Sequence, residues 1–261
     1  MRVRIRVIVP SAVLLLCSTA AFSQAVDKVT DLKPFDTLEI GGCFESKVAP
    51  GTPERVVVNA TGPQQARIRV EQDGKTVRVG FIDHAFADEY NVCKDGKIRV
   101  TVTANFAKDQ SVELRLAGSG GVDAEVPRVA KLTTSIAGSG GVTLRGAADE
   151  CRLSVAGSGG ADARSLDCGA SARVSVAGSG STRLNGKTKA CEFRVSGSGG
   201  VRADDFACES ADVAISGSGS ISLPTVADLK VSISGSGSVQ YRGEPKLRGV
   251  DINGSGRLHK L

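Results

Sequence analysis

A Gly-Ser-Gly triad occurs eight times in this chain, and its residue types could serve two kinds of chemistry. The copies begin at Gly118, Gly138, Gly157, Gly178, Gly197, Gly217, Gly235 and Gly254. Glycine-rich loops can cradle a phosphate with bare backbone N–H groups, and a serine beside a positioned base can act as a nucleophile. A phosphate loop needs a helix behind its glycines, and none of the eight copies is followed by a helical pattern. A nucleophilic serine needs its base, and the only histidines are His84, in a loop, and His259, near the last residue. Asp123 and Asp162 follow their triads as in calcium-binding β-rolls. Thr143, Arg183, Arg202 and Ser222 occupy the matching positions elsewhere, so no calcium ladder is expected. One mixed cluster remains that could hold a metal or move protons: Asp83, His84, Asp88 and Glu89, in the least repetitive stretch. Exposed charge runs are most often solvated surface, so these four are kept only as a candidate binding set. No metal or cofactor is expected.

The first 23 residues read as a signal peptide. Arg2, Arg4 and Arg6 form a basic start, and Val7 to Phe22 is apolar apart from an interruption at Pro10. Small residues at Ala21 and Ser23 favour cleavage before Gln24, with Ser23-Gln24-Ala25 as a nearby alternative. Leu16 before Cys17 argues against a lipoprotein signal, and no later stretch is long and apolar enough to span a bilayer as a helix. Loss of the three arginines takes the formal net charge from +5 to about +2, which removes the electrostatic case for nucleic acid.

Six cysteines then remain: Cys43, Cys93, Cys151, Cys168, Cys191 and Cys208. An even count in an exported chain reads as disulfides, and the absence of CxxC weighs against zinc. The triads keep time for them. Cys151 and Cys191 lie 13 residues after a triad start, Cys168 and Cys208 lie 11 after, and both separations within the pairs are 17. Stacking in register would bring Cys151 to Cys168 and Cys191 to Cys208 on neighbouring coils, leaving Cys43 for Cys93.

The elements that position these residues are strands. Leu132, Thr134, Ile136, Gly138, Gly140, Val142 and Leu144 share one parity, with Ser135, Ser139, Thr143 and Arg145 opposed. Val174 to Leu184 and Val213 to Leu223 repeat the alternation, which is the period of β-structure. Each unit therefore reads as strand, tight corner, strand and a variable connector, such as Arg145 to Cys151 or Gly186 to Cys191. The triads recur at intervals of 20, 19, 21, 19, 20, 18 and 19 residues. Equivalent corners at that spacing mean a full circuit each time: an all-β parallel β-helix, or solenoid, of about eight coils, right-handed by the rule for parallel crossovers. Eight layers spaced by about 4.8 Å give a rod of roughly 38 Å.

The first and third glycines are the expected structural corners: Gly118 and Gly120, Gly138 and Gly140, Gly157 and Gly159, Gly178 and Gly180, Gly197 and Gly199, Gly217 and Gly219, Gly235 and Gly237, Gly254 and Gly256. Both are expected to permit positive φ and close coil stacking, with the serines forming a hydrogen-bonding column. Residues 112–261 form the repeats. Residues 26–111 form an N-terminal β region that caps or starts the stack, with strands at Phe35 to Ile40, Cys43 to Val48 and Arg55 to Asn59. A short helical turn near Thr61-Gly62-Pro63 and a hairpin at Asp73-Gly74 follow.

The Phe-Asp-x-Leu-x-Ile opening at Phe35 to Ile40, the irregular first part and the Gly-Ser-Gly coils together resemble the auto-transporter adhesin head GIN domain family of exported bacterial proteins. The resemblance covers roughly residues 32 to 258. It implies a β-helix without enzymatic activity and an adhesive role; it carries no functional residues over.

Three functions remain to weigh. The first is an exported, non-enzymatic contact protein of the periplasm or cell surface, adhesive or envelope-associated, whose partner is a glycan or protein. The second is a polysaccharide lyase or hydrolase on the same fold, which needs acids and bases along one groove. Outward positions near the corners are mostly Ser, Ala, Thr and Gly, and residues 118 to 261 hold only Phe193, Phe206 and Tyr241 as aromatic platforms. The third, a hexapeptide-repeat acyltransferase, needs six-residue sub-periods that the varying intervals do not keep.

Overall fold

The computed structural model describes residues 24–82, 92–94 and 97–261. Four strands open the chain: β1 (Val26–Asp31), β2 (Thr37–Gly42), β3 (Glu45–Pro50) and β4 (Arg55–Ala60). A short helix, α1 (Gly62–Gln65), then leads to β5 (Ile68–Asp73), β6 (Thr76–Phe81) and β7 (Arg99–Ala104). The repeats begin with β8 (Ser111–Gly118), β9 (Gly121–Gly138), β10 (Gly141–Gly157), β11 (Gly160–Gly178) and β12 (Ser181–Gly197). They continue with β13 (Gly200–Ala207), β14 (Ser210–Gly217), β15 (Ser220–Thr225), β16 (Asp228–Gly235), β17 (Ser238–Arg242), β18 (Lys246–Gly254) and β19 (Arg257–Lys260).

The repeat strands pair in parallel, coil on coil, so the chain is a β-solenoid of about eight turns. Register follows the triads: Gly138 pairs with Gly157, Gly157 with Gly178, and Gly178 with Gly197. Inward residues form columns along the stack. Leu116, Ile136, Val155 and Val176 make the column before the corner, and all are buried. Ala124, Leu144, Ala163 and Leu184 make another, in which small and large side chains alternate. Such alternation lets layers only about 4.8 Å apart interdigitate. Each buried Val, Leu or Ile contributes about 1.5–3 kcal/mol against its conformational cost. This is how the core of the repeats, whose only buried phenylalanines are Phe193 and Phe206 among the described residues, holds together.

The expected connectors are themselves strand. β9 to β12 run unbroken between triads, bending where the register shifts, at Leu144/Gly146 and Ala148/Glu150 in the pairing of β10 with β11. Gly146 takes φ +150° there, and Gly186 takes φ +141° at the matching shift in the pairing of β11 with β12. Bulges turn the chain without leaving the ladder, so few backbone groups go unpaired.

The opening strands also differ from the expected spans. β2 and β3 enter the stack as a coil. Gly42 pairs with Gly118 and Glu45 with Gly121, which sets Gly42-Cys43-Phe44 directly beneath the first triad. Cys43 thus sits in a corner rather than in a strand. β6 and β7 run parallel to β2 and β3 one layer further on. β5 pairs antiparallel with β6, β4 antiparallel with β7, and β1 antiparallel with β4. The antiparallel strands extend this end of the stack. At the other end β18 is exposed along its whole length, including Leu247, Val250 and Ile252.

Candidate binding groove beside the triads

The triads set the site by stacking backbone on backbone. The first glycine of each takes φ between +109° and +120°, a region closed to most other residues. A Cβ on Gly138 would stand 2.6 Å from the carbonyl oxygen of Gly118. The third glycine is not in the positive-φ region, which departs from the sequence expectation. Its requirement is space: a Cβ on Gly140 would stand 2.6 Å from the Gly120 oxygen and 2.9 Å from Leu116. The column of hydrogen bonds is also made differently than expected. The backbone N–H groups of Ser139 and Gly140 both donate to the Gly118 oxygen, at 3.0 and 2.9 Å, and Gly141 N–H donates to Gly120 at 3.0 Å. The serine side chains stay exposed, so the ladder is main-chain and the hydroxyls face solvent.

A ninth corner escaped the triad pattern. Ser119 N–H and Gly120 N–H donate to the Gly42 oxygen at 3.1 and 2.9 Å, the same geometry as the triads. The Phe81 ring lies under Gly42, where its Cε2 would stand 2.7 Å from an added Cβ, and packs 5.0 Å from the Phe44 ring. The signal available in the sequence was Gly41-Gly42 at the end of an alternating strand.

Beyond each corner the chain presents two outward columns. The nearer runs Gly121, Gly141, Gly160, Ser181, Gly200 and Ser220. The farther runs Lys47, Asp123, Thr143, Asp162, Arg183, Arg202 and Ser222. Together, Ser222 excepted, they line an open groove of about 1040 Å³ that crosses the coils beside the triads. Its floor is glycine and serine, so a ligand can approach the main chain. Asp123 is held by Arg145 at 3.0 Å and Asp162 by Arg164 at 2.7 Å. These are the aspartates set aside as calcium ligands above.

A second groove of about 730 Å³ lies on the strands that precede the triads. Most of its charges close on one another, Lys131, Glu150 and Arg152 excepted among the described residues. Arg173 and Arg194 both engage Glu192, Lys230 engages Asp212 at 3.7 Å, and Arg248 engages Asp228 at 2.6 Å. Burial pushes the Glu192 carboxyl up, but hydrogen bonds from Arg173 and Arg194 outweigh it and hold it below the usual range. The Arg248 hydrogen bond lowers Asp228 likewise.

Cys151 and Cys191 line this second groove. Cys151 is bridged to Cys168, Cys191 to Cys208 and Cys43 to Cys93, with Cα–Cα separations of 5.5, 6.1 and 6.1 Å. Cys151, Ala172, Cys191 and Ala211 form one column, and Ala148, Cys168 and Thr188 form its neighbour. Each repeat disulfide therefore links one coil to the next, and small residues alternate with the cysteines to leave room for the sulfurs.

Asp83, His84, Asp88 and Glu89 lie outside the described residues, as does the 1–23 signal segment. Among the described residues no group of three His, Cys, Asp or Glu is placed to hold a metal ion, and no helix is long and apolar enough to cross a membrane.

The family model described as "Putative auto-transporter adhesin, head GIN domain" matches residues 34–185 and 167–245. The chain belongs to this family. A crystal structure described as a putative lipid binding protein from Parabacteroides distasonis superposes with a TM-score of 0.79 at 22% identity, covering 92% of this chain and 98% of that one. A putative adhesin from Parabacteroides merdae gives 0.77 at 18% identity, covering 92% and 97%. A putative adhesin from Bacteroides fragilis gives 0.65 at 17%, covering 91% and 97%. At such identities the likeness is one of fold. No curated protein matches the chain. The GIN domain family is named for adhesion, which is consistent with a surface binding module for an external ligand. Together with the disulfides it points to an extracellular or envelope location.

Proposed function

We propose that this GIN domain protein is an exported, non-enzymatic contact module, adhesive or envelope-associated, that holds a surface glycan or protein along the groove beside its triads. The observation that carries the reading is the groove itself: a trough across successive coils, floored by Gly121, Gly141, Gly160 and Gly200, with no acid and base converging on one point. Its carboxylates at Glu45, Asp123 and Asp162 are occupied by Lys97, Arg145 and Arg164, which leaves none of the three free as a general base. An extended trough suits a linear ligand gripped by many weak contacts better than a small substrate held at one centre. The basic and apolar start of the chain and the three cystines support export to the periplasm or cell surface of a bacterium. The name of the Parabacteroides distasonis relative offers lipid as another ligand. The groove has none of the exposed large apolar side chains that would enter a lipid.

The test is to incubate the purified protein with glycan and cell-wall arrays and to analyse both the bound ligands and the supernatant. Retention of intact ligand is the expected result. Release of shortened or unsaturated sugars would replace the contact module with a lyase or hydrolase.

A further inference from the structure

We propose that the ligand of the triad-side groove is an acidic polysaccharide, gripped through Arg183 and Arg202. The inference rests on the groove being the contact face, and it adds the chemical class.

Charge along the farther column carries the argument. Its seven residues run Lys47, Asp123, Thr143, Asp162, Arg183, Arg202 and Ser222, one per layer. Both aspartates are neutralised from beside the column, by Arg145 and Arg164. The Ser222 hydroxyl donates to Asp204 at 2.7 Å. The cations are left over. Lys47, Arg183 and Arg202 have no ion-pair partner among the described residues, and both arginines are exposed. Arg183 pairs in register with Arg202, so two guanidinium groups rise from strands about 4.8 Å apart with no carboxylate between them. Like charges on directly neighbouring strands are unfavourable. Asp162 is the next residue in the column and could have relieved the pair, yet its carboxylate is spent on Arg164. The second groove shows a partial contrast: there Arg173, Lys230 and Arg248 find internal partners, while Lys131 and Arg152 stand on separate strands and out of register with each other.

A pair of guanidinium groups set this way matches an anionic oxygen pair, and each charge-assisted bond is about twice as strong as a neutral one. Five layer steps separate Lys47 from Arg202, about 24 Å, so cations stand towards both ends of the groove. A ligand that meets both is extended and bears repeated charge. Between them it crosses glycine and the hydroxyls of Ser181 and Ser220, which suits hydroxyl-rich sugar. Nucleic acid is disfavoured because no aromatic side chain lines the groove for a base to stack on. Strand addition is disfavoured because the strands flooring the groove are already paired on both sides.

The experiment titrates the full protein with polygalacturonate, with neutral dextran and with anionic phosphatidylglycerol vesicles, at low and at physiological salt. Polygalacturonate should bind and the other two should not. Arg183→Ala/Arg202→Ala should weaken that binding about tenfold or more. Arg152→Ala/Arg242→Ala, which removes equal charge elsewhere, should change it less than about twofold. Equal losses in both double variants, no binding of polygalacturonate, or equal binding of dextran or vesicles would overturn the proposal. Filling the floor with Gly121→Gln/Gly141→Gln separates the two claims. Suppose it abolishes binding of an array-identified ligand while Arg183→Ala/Arg202→Ala does not. The acidic class then falls and the groove stands; if neither variant matters, both fall.

Discussion

The two glycines of each triad are required for different reasons, and the serine between them for neither. Gly138 needs its φ of +114°, and Gly140 needs the space that a Cβ would take from the Gly120 oxygen. Gly138→Ala should therefore cost about 2–4 kcal/mol, since it combines a disfavoured φ with a main-chain clash. Ser139→Ala should change stability by less than about 0.5 kcal/mol, because the hydroxyl is exposed. Chemical denaturation of the two variants checks this, and equal losses would return the serine to a structural role. At this scale the sequence was readable where side-chain type alone reports the backbone. It was not readable at Gly42-Cys43-Phe44, where a phenylalanine ring rather than another coil lies beneath the corner, so the spelling changes while the geometry does not. Nor could it separate the free Arg183 from the paired Arg145 and Arg164, because that depends on which carboxylate each side chain reaches.

Among the elements, the paired strands make the cysteines a consequence of register. Cys151 and Cys191 share a column two coils apart, and the alanines at 172 and 211 give the sulfurs room. The 17-residue spacing was legible because stacked coils convert sequence distance directly into spatial distance. Cys151→Ala/Cys168→Ala should lose about 3 kcal/mol in denaturant unfolding, from the entropy of a loop of that size. The same loss should follow reduction of the wild-type pair. A variant as stable as wild type would mean the strand ladder alone fixes that register. The sequence reads these stretches as variable connectors because Gly146 and Gly186 break the alternation, while the bulges beside them keep the ladder in space. A period of two cannot be followed through bulged residues such as Arg145 and Asp149, which the register of β10 with β11 skips.

As a whole molecule, the solenoid turns a repeat into a surface. Inward parity builds the column core, and outward parity builds two grooves that differ in their electrostatics. In the groove before the triads Arg173, Lys230 and Arg248 are paired with carboxylates, and the groove beside the triads keeps Lys47, Arg183 and Arg202 unspent. The fold was legible because every coil repeats the same statement. The groove was not, because it arises only when outward residues some 20 positions apart are set side by side. Gly121 and Gly141 offer a direct probe of it, since an added Cβ meets nothing nearer than 4.0 and 3.8 Å and neither glycine needs a positive φ. Side chains there would fill the trough and leave the stack alone. The measurement is the affinity of Gly121→Gln/Gly141→Gln for the ligand that wild type retains, beside Ser171→Gln/Ser210→Gln in the second groove. A loss of at least about tenfold is expected in the first variant and little change in the second. Unchanged binding in a folded Gly121→Gln/Gly141→Gln protein would contradict it.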